Sequence, residues 1–199
     1  MRVAKKEAYH HGDLRSALVA LALERVRKDG AESFSLREAA RDAGVTSGAA
    51  YKHFADKDQL LTAVAAAALK LLAKRSLKAT AGLHGTKRLA AAGRAYIDFA
   101  SAEPMLFRLA FSRFGAAGKS QCPEVTDDEA IPSAFEQLRM AAAELQPDPA
   151  KPVDPDLLAL AWSVVHGAAS LISDGMWTRN DPRADAALRM AFKAIAPGK

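Results

Sequence analysis

The sequence predicts an all-α protein of about nine helices, in which a small three-helix unit precedes a larger helical bundle. Half of the 199 residues are apolar, and alanine dominates helix-favouring runs such as residues 63–68. The sequence contains no Asn-Gly hairpin turn and no sustained alternation of branched residues, so it gives little indication of β-strands. Serine, threonine and aspartate also precede the apolar stretches, at positions where such residues cap helices.

The first helix is predicted to run from Asp13, a good N-cap, to Lys28, with Gly30 closing it. We expect Phe34 to close the core of the three-helix unit. One face of the helix is apolar at helical spacing and consists of Leu14, Ala17, Leu18, Leu21 and Ala22. A polar arm that could reach phosphates precedes it and contains Lys5, Lys6, His10 and His11.

The stretch from Ser35 to Phe54 predicts two short helices joined by a tight turn. Ser35 and Glu38 form a capping box, so a helix should begin at Leu36. Gly44 is placed to end it, because glycine readily adopts the left-handed conformation that closes a helix. The inward positions are Leu36, Ala39, Ala40 and Ala43, which leaves Arg37 and Arg41 facing outward.

The second short helix should be capped by Thr46 or Ser47 and include the seven or eight residues after Thr46. The start of this helix is more polar than that of an ordinary core helix. Its small residues would let the helix come close to the floor of a DNA groove. Phe54 is the expected anchor into the core. Asp56 and Gln59 repeat the capping signal, so a long helix should start at Lys57 and connect this end to the rest of the chain.

The segment F-S-L-R-E-A-A-R-D-A-G-V-T-S-G-A-A-Y-K-H-F-A-D-K-D-Q-L-L resembles the DNA-binding segment of the tetracycline-repressor (TetR) family. The resemblance covers roughly residues 10–65 and implies that the helix ending in Y-x-H-F is a recognition helix that enters the major groove. It implies phosphate contacts by Tyr51, His53 and Lys57. It places Thr46, Ser47, Gly48 and Lys52 near base edges, and Ser35 and Arg37 complete the predicted DNA-binding set. Gly48 stands where many relatives carry a larger side chain. The implied partner is double-stranded DNA with a palindromic operator.

Breaker residues divide the rest of the chain into further helices. The glycine-containing stretch 79–86 is the best domain boundary, so we predict a DNA-binding domain at 1–56, a connecting helix and linker at 57–84, and a ligand-binding and dimerisation domain at 85–199. Helices are expected at 86–102, at 105–114, from Pro132 or Ser133 to Leu145, from Pro155 after its cap Asp154, and from Pro182 after its cap Asp181. Residues 115–129 should form a loop and 147–155 a proline-rich connector.

The last two predicted helices favour a homodimer. The penultimate helix is apolar around nearly its whole circumference, with Leu157, Leu158, Leu160, Trp162, Val164, Val165, Leu171 and Ile172. A helix of this kind must be covered on more than one side. The final helix carries an apolar stripe of Ala184, Ala187, Leu188, Ala191, Phe192 and Ile195. A four-helix contact between two copies would cover both.

The segment A-W-S-V-V-H-G resembles the W-x-x-x-H-G signature of a C-terminal domain in one branch of the TetR family. That resemblance implies a helical ligand-sensing and dimerisation domain over about residues 85–196. The aromatic residues of this region predict a pocket for an apolar or aromatic small-molecule effector, with core packing as the alternative. For His166 the alternative is a hydrogen bond inside the core or interface. The predicted ligand-binding set is Tyr96, Phe99, Phe107, Phe111, Phe135, Trp162 and His166.

Charge supports a DNA-facing end. Residues 1–100 contain 18 Lys and Arg against 10 Asp and Glu, whereas residues 101–199 contain 10 against 13. A specific regulator, most simply a repressor released by its effector, is therefore the predicted function. A nonspecific architectural DNA-binding protein and a regulator that acts mainly through a protein partner remain alternatives.

Enzyme classes find little support. G-V-T-S-G is not a nucleophile elbow, and the chain has no Walker loop or dinucleotide glycine fingerprint. The five histidines have no metal-ligand spacing, so we expect no metal and no cofactor. The single cysteine, Cys122, excludes an internal disulfide. No apolar run is expected to be long enough to cross a bilayer and no signal peptide is evident, which predicts a cytoplasmic protein without a membrane partner.

Overall fold

The computed structural model describes residues 14–116, 131–146, 148 and 151–195. Within these ranges the chain forms nine α-helices and no β-strand, as predicted. The helices are α1 (Leu14–Asp29), α2 (Leu36–Asp42), α3 (Ser47–Tyr51), α4 (Lys57–Thr80), α5 (Gly85–Ala102), α6 (Pro104–Ala116), α7 (Ala134–Ala143), α8 (Pro155–Ser173) and α9 (Pro182–Ile195). Most of the predicted 115–129 loop with Cys122, the polar arm and Asp13 lie outside the described residues.

Side-chain caps start the helices where the sequence places them. The carboxylate of Asp56 accepts a hydrogen bond from the Gln59 amide at 2.8 Å, and the Gln59 side chain accepts one from the Ala55 amide at 3.0 Å. The Ser133 hydroxyl accepts from the Glu136 amide at 3.1 Å. Asp154 caps α8 through the Asp156 amide at 2.8 Å. These bonds satisfy amides that would otherwise lack a partner at a helix start.

The N-terminal three helices pack around a small apolar core. Ala17, Leu18 and Ala22 of α1 are buried as predicted, Leu14 and Leu21 are only partly buried, and Val26 extends the buried stripe by one turn. Phe34 and Phe54 are 4% and 2% exposed, which confirms both as core anchors. Arg25 of α1 donates to the Asp42 carboxylate at 3.2 Å from Nε and 3.0 Å from Nη2, and this fork ties α2 to α1.

The long helix α4 connects the two ends of the molecule. Its 24 residues span about 36 Å, and it packs against α1, α5, α6 and α7. One buried apolar cluster continues from Leu18 in α1 through Leu61 and Leu72 in α4 to Leu188 in α9. The N-terminal unit is therefore packed directly onto the helical body, and the division at residues 56 and 84 stays a prediction.

Helix α8 contradicts the prediction that no apolar run is long enough to cross a bilayer. Among the described helices, Pro155–Ser173 is long and apolar enough to cross a membrane by length and composition, although the sequence analysis expected no such run. Its apolar character has a packing explanation, because α8 contacts α5, α6, α7 and α9. Leu158, Ala161, Val165 and Ile172 are buried within the chain, whereas Leu160 remains 45% exposed.

Candidate nucleic-acid interface and aromatic cluster

A tight turn orients α3 against α2. Gly44 adopts a φ of 72°, a conformation that side chains other than glycine rarely take. The Val45 amide donates to the Ala40 carbonyl at 3.0 Å, which closes the end of α2. The hydroxyl of Thr46 then accepts from the Ala49 amide at 3.3 Å and caps α3. The predicted helix-turn-helix is thus present, with both ends fixed by local hydrogen bonds.

Helix α3 contains five residues, Ser47–Tyr51, so the expectation of seven or eight helical residues is wrong. The last turn tightens, since the amides of Lys52 and His53 donate to carbonyls three residues back, those of Ala49 and Ala50, at 3.3 and 3.0 Å, and the chain then turns inward. Ala50 is fully buried and Phe54 follows it into the core. Burial of these two side chains leaves the remaining face of the short helix outside.

That outer face carries most of the predicted DNA-binding residues. Tyr51 is 45% exposed although it is large and aromatic, and Lys52 and His53 are exposed beside it. The exposed positions at the start of the helix are Thr46, Ser47 and Gly48. An exposed aromatic ring next to cationic and hydroxyl groups can stack on sugars and donate to phosphates.

The other three predicted DNA-binding residues differ in how free their side chains are to contact DNA. Arg37 is exposed on the outer face of α2. The hydroxyl of Ser35 donates to the Glu38 carboxylate at 2.7 Å and accepts from its amide at 3.2 Å, so it is engaged in capping. This hydroxyl is also the main cause of the lowered pKa of Glu38. Lys57 is partly buried, and its Nζ donates to the Glu32 carbonyl at 3.2 Å.

The C-terminal part contains a cluster of aromatic rings contributed by α5, α6, α7 and α8. Tyr96 lies edge-on to Phe107 and Trp162, with ring centroids 5.7 and 5.2 Å apart. Phe111 approaches Phe107 at 4.7 Å. These separations match the edge-to-face and tilted arrangements that aromatic pairs prefer. Tyr96 and Phe107 are buried, whereas Phe111 and Trp162 are only partly buried, so part of the surface of these two side chains is accessible.

His166 lies inside this aromatic cluster. Its Nδ1 is 2.9 Å from the Tyr96 hydroxyl, and its ring is nearly parallel to that of Trp162 at 6.0 Å. Phe111 lies 4.6 Å from it. Desolvation by burial lowers the pKa of His166, so the ring favours its neutral form. A neutral imidazole paired with a hydroxyl supplies the cluster with polar hydrogen-bonding capacity and no net charge.

Two predicted ligand-binding residues lie away from the centre. Phe135 is 40% exposed and contacts only Trp162 among the rings of the described residues, at 5.4 Å. Phe99 is 1% exposed and lies beneath the Arg75 guanidinium, 5.4 Å from its ring centroid. It borders a surface depression shared with Arg94 and Arg179. The structure brings the other five residues together, whereas Phe99 lies nearly one turn further along α5, under Arg75 and outside the cluster.

Three ion pairs that join α1 and α4 to Glu103 and to α6 have no signature in the sequence. Glu103 pairs with Arg27 and Arg75, and Arg113 pairs with Asp58. The partners are between 28 and 76 positions apart in the chain. No local spacing rule could have found them, because only the packing of α6 on α1 and α4 brings them together.

Family comparisons fit both parts of this arrangement. Residues 18–64 match the model of bacterial regulatory proteins of the tetR family, and residues 89–195 match that of the tetracyclin repressor-like C-terminal domain. The second match alone spans more than half of the 199 residues. No curated protein gives a significant match.

Solved structures show the same fold along nearly the whole chain. A protein of unknown function from Rhodococcus sp. RHA1 is 28% identical, with a TM-score of 0.63 over 96% of this chain and 100% of that one. A tetR-family transcriptional regulator from Streptomyces coelicolor is 23% identical, with a TM-score of 0.61 over 92% and 80%. BioQ bound to its double-stranded DNA operator is 24% identical, with a TM-score of 0.60 over 92% and 98%. Together with the two family matches, these findings show that the chain belongs to the TetR family of DNA-binding transcriptional regulators.

Proposed function

We propose that two copies of this chain bind a palindromic operator as a repressor, and that a small apolar or aromatic effector releases them. The observation that carries the proposal is the exposed outer face of α3 together with the two residues that follow the helix, because Tyr51, Lys52 and His53 have no role in the core. BioQ, a protein of similar fold, has been solved with its double-stranded DNA operator, which supports operator binding. Repression is the simplest outcome, because an operator-bound dimer blocks access to a promoter.

The exposed residues of and around α3 would contact different parts of the operator DNA. Tyr51, Lys52 and His53 would meet phosphates or the groove edge, and Arg37 would reach the backbone beside them. Thr46, Ser47 and Gly48 would lie nearest the bases, since they form the exposed start of α3. Ser35 would act through its capping bond rather than by touching DNA. Lys57 would need to leave the Glu32 carbonyl to reach a phosphate.

Dimerisation through α8 and α9 would bring two such faces to one duplex. Leu160 and Met190 are 45% and 71% exposed, which is unusual for large apolar side chains in the middle of helices. Gly167 is exposed on α8, and a Cβ built there would meet no atom within 4 Å. Nothing within the described chain therefore accounts for glycine at this position, whereas a close crossing with a second copy would.

The aromatic cluster is the proposed effector site. Phe111 and Trp162 would contact a planar apolar molecule directly, Tyr96 and Phe107 would support them from the core, and His166 would offer the molecule one hydrogen bond. Phe135 would close the outer edge through Trp162. An effector would lower operator affinity only by the extent to which it prefers a second arrangement of the dimer, which α4 would transmit. We place this regulator in the cytoplasm, and we assign DNA binding to residues 1–56, the connection to 57–84, and ligand binding with dimerisation to 85–199.

Selection of genomic fragments by the purified dimer, followed by titration, tests the proposal. The selected fragment should contain an inverted repeat and bind at least about 1,000-fold more tightly than random DNA at physiological salt. Equal affinity for both DNAs would contradict it and favour an architectural protein. A dimer that selects no fragment would favour action through a protein partner.

A further inference from the structure

Helix α6 contacts the aromatic cluster with one set of side chains and the N-terminal helices with another. Phe107 and Phe111 belong to the cluster. Glu103, which immediately precedes α6, pairs with Arg27 of α1, and Arg113 near the other end of α6 pairs with Asp58 in the first turn of α4. Met105 also lies close to the end of α1, since its sulfur would be 3.8 Å from a Cβ added to Gly30. The two sets of contacts therefore share one rigid element.

Glu103 lies at the junction of four helices. Its amide donates to the Phe99 carbonyl at 2.8 Å and its carbonyl accepts from the Phe107 amide at 2.9 Å, so it is the residue that joins α5 to α6. One carboxylate oxygen accepts from Arg27 Nε of α1 at 2.7 Å. The other accepts from Arg75 Nη2 of α4 at 2.6 Å.

Because Glu103 is buried, the loss of either ion pair would be costly. Its side chain is only 8% exposed, whereas Arg27 and Arg75 are 34% and 38% exposed. A buried carboxylate that loses its partners keeps the cost of desolvation without the compensating attraction. Movement of α1 or α4 away from the α5–α6 junction therefore has a larger cost than the loss of an exposed ion pair would have.

A second ion pair lies at the opposite end of α6. Arg113 Nη2 donates to the Asp58 carboxylate at 2.8 Å. Asp58 is in the first turn of α4, directly after the segment that follows α3. The two contacts are about ten residues apart on α6, roughly 15 Å, so together they resist rotation as well as translation.

We propose that Glu103 and Arg113 form a clamp that fixes the helix-turn-helix unit relative to the dimer body and so sets which half-site spacing the dimer accepts. This inference rests on the proposed function, because spacing matters only when two copies bind one palindrome. A clamped dimer presents its two α3 faces at one separation and binds a matching operator without ordering them first. A loosened dimer loses affinity for the matching operator and tolerates a wrong spacing better.

The test compares the wild-type protein with Glu103→Gln and Arg113→Gln on three DNAs: the selected palindrome, and the same half-sites separated by one or by two additional base pairs. Arg139→Gln is the matched control, because Arg139 pairs with Glu136 within α7 alone. Thermal unfolding of each variant establishes that it is folded. Arg113→Gln alters a pair whose partner is 71% exposed, so it keeps the test valid if Glu103→Gln unfolds.

The wild-type protein and Arg139→Gln should bind the matching palindrome at least about tenfold more tightly than either altered spacing. This ratio should fall about fivefold or more in Glu103→Gln and about twofold in Arg113→Gln, through weaker binding to the matching DNA. An unchanged ratio in the folded variants would overturn the clamp, as would an equal loss of affinity for all three DNAs. A wild-type protein with no preference for any palindrome would instead contradict the proposed function, and the clamp with it.

Discussion

The outer face of α3 and the aromatic cluster differ in how much the fold itself needs their side chains. Tyr51, Lys52 and His53 are exposed and contribute nothing to the core. Tyr96 and Phe107 are 3% and 2% exposed and pack against each other, so they stabilise the protein whether or not a ligand binds. A functional role is therefore easier to assign at the first site, because exposed polar and aromatic groups there have no competing structural explanation.

The same contrast appears within the aromatic cluster. Phe111, Trp162 and His166 are only partly buried, unlike Tyr96 and Phe107 beside them. A partly buried ring is held less firmly by its neighbours and leaves surface for a bound molecule. The boundary between core and pocket should thus lie between these two groups, and variants can locate it.

The largest expected effect separates a core anchor from a pocket residue. Phe54→Ala should lower the free energy of unfolding by about 3–5 kcal/mol and abolish DNA binding, because the ring is 2% exposed beneath α3. Phe111→Ala should cost distinctly less and leave DNA binding intact, since that ring is partly exposed. Denaturant unfolding of both variants checks this. An equal cost at Phe111 would identify the whole cluster as ordinary core.

A smaller effect is expected on DNA affinity without any loss of stability. Lys52→Ala should weaken operator binding about tenfold and reduce the salt dependence by about one counterion, because one phosphate contact is removed. Lys74→Ala is the control, since Lys74 is also exposed on a helix but lies far along α4. Titrations at several salt concentrations measure both quantities. Indistinguishable curves for the two variants would remove Lys52 from the interface.

The pH dependence of stability tests the burial of His166. Its pKa is lowered in the folded protein from the ordinary 6.5, so the unfolded chain takes up a proton first as the pH falls. Stability should therefore decrease from pH 7 to pH 5, and His166→Gln should remove part of this decrease. The exposed His53 provides the matched variant, His53→Gln. Unfolding curves across this pH range with the same slope for both variants would contradict the assignment.

The smallest effect compares two glycines. Gly48→Ala should stabilise the free protein by about 0.5 kcal/mol, because its Cβ would come no closer than 4.0 Å to the nearest atom, the Thr46 hydroxyl oxygen. Gly93→Ala should destabilise it by about 1 kcal/mol, because a Cβ there would lie 2.7 Å from the Phe192 ring. Melting temperatures establish both signs. Stabilisation by Gly93→Ala would show that the α5–α9 contact is looser than described.

Local signals in the sequence predicted the starts of several helices well. Ser35, Asp56 and Asp154 each start a helix because a cap acts within three residues of its own position. The length of α3 was overestimated, since a local pattern does not show where Phe54 must turn into the core. The chain's most informative motif was thus located correctly while its outer boundary was not.

Contacts between distant segments could not be predicted in the same way. Tyr96 and Phe99 are both aromatic and three residues apart on α5, yet one joins the cluster and the other lies under Arg75. The choice depends on how α5 is rotated against α4 and α8, which no local spacing encodes. The ion pairs of Glu103 were missed for the same reason, since their partners come from two other helices.

Site-specific cross-linking to the operator tests the central claim most directly, namely that the start of α3 faces the bases. A photoactivatable group would be attached at Ser47→Cys, or at Lys74→Cys as control, with the single native cysteine replaced by Cys122→Ser in both proteins. If the start of α3 faces the bases, we expect efficient cross-links from position 47 to bases within each half-site and none from position 74. Cross-links from position 74 alone, or equally from both positions on random DNA, would contradict it.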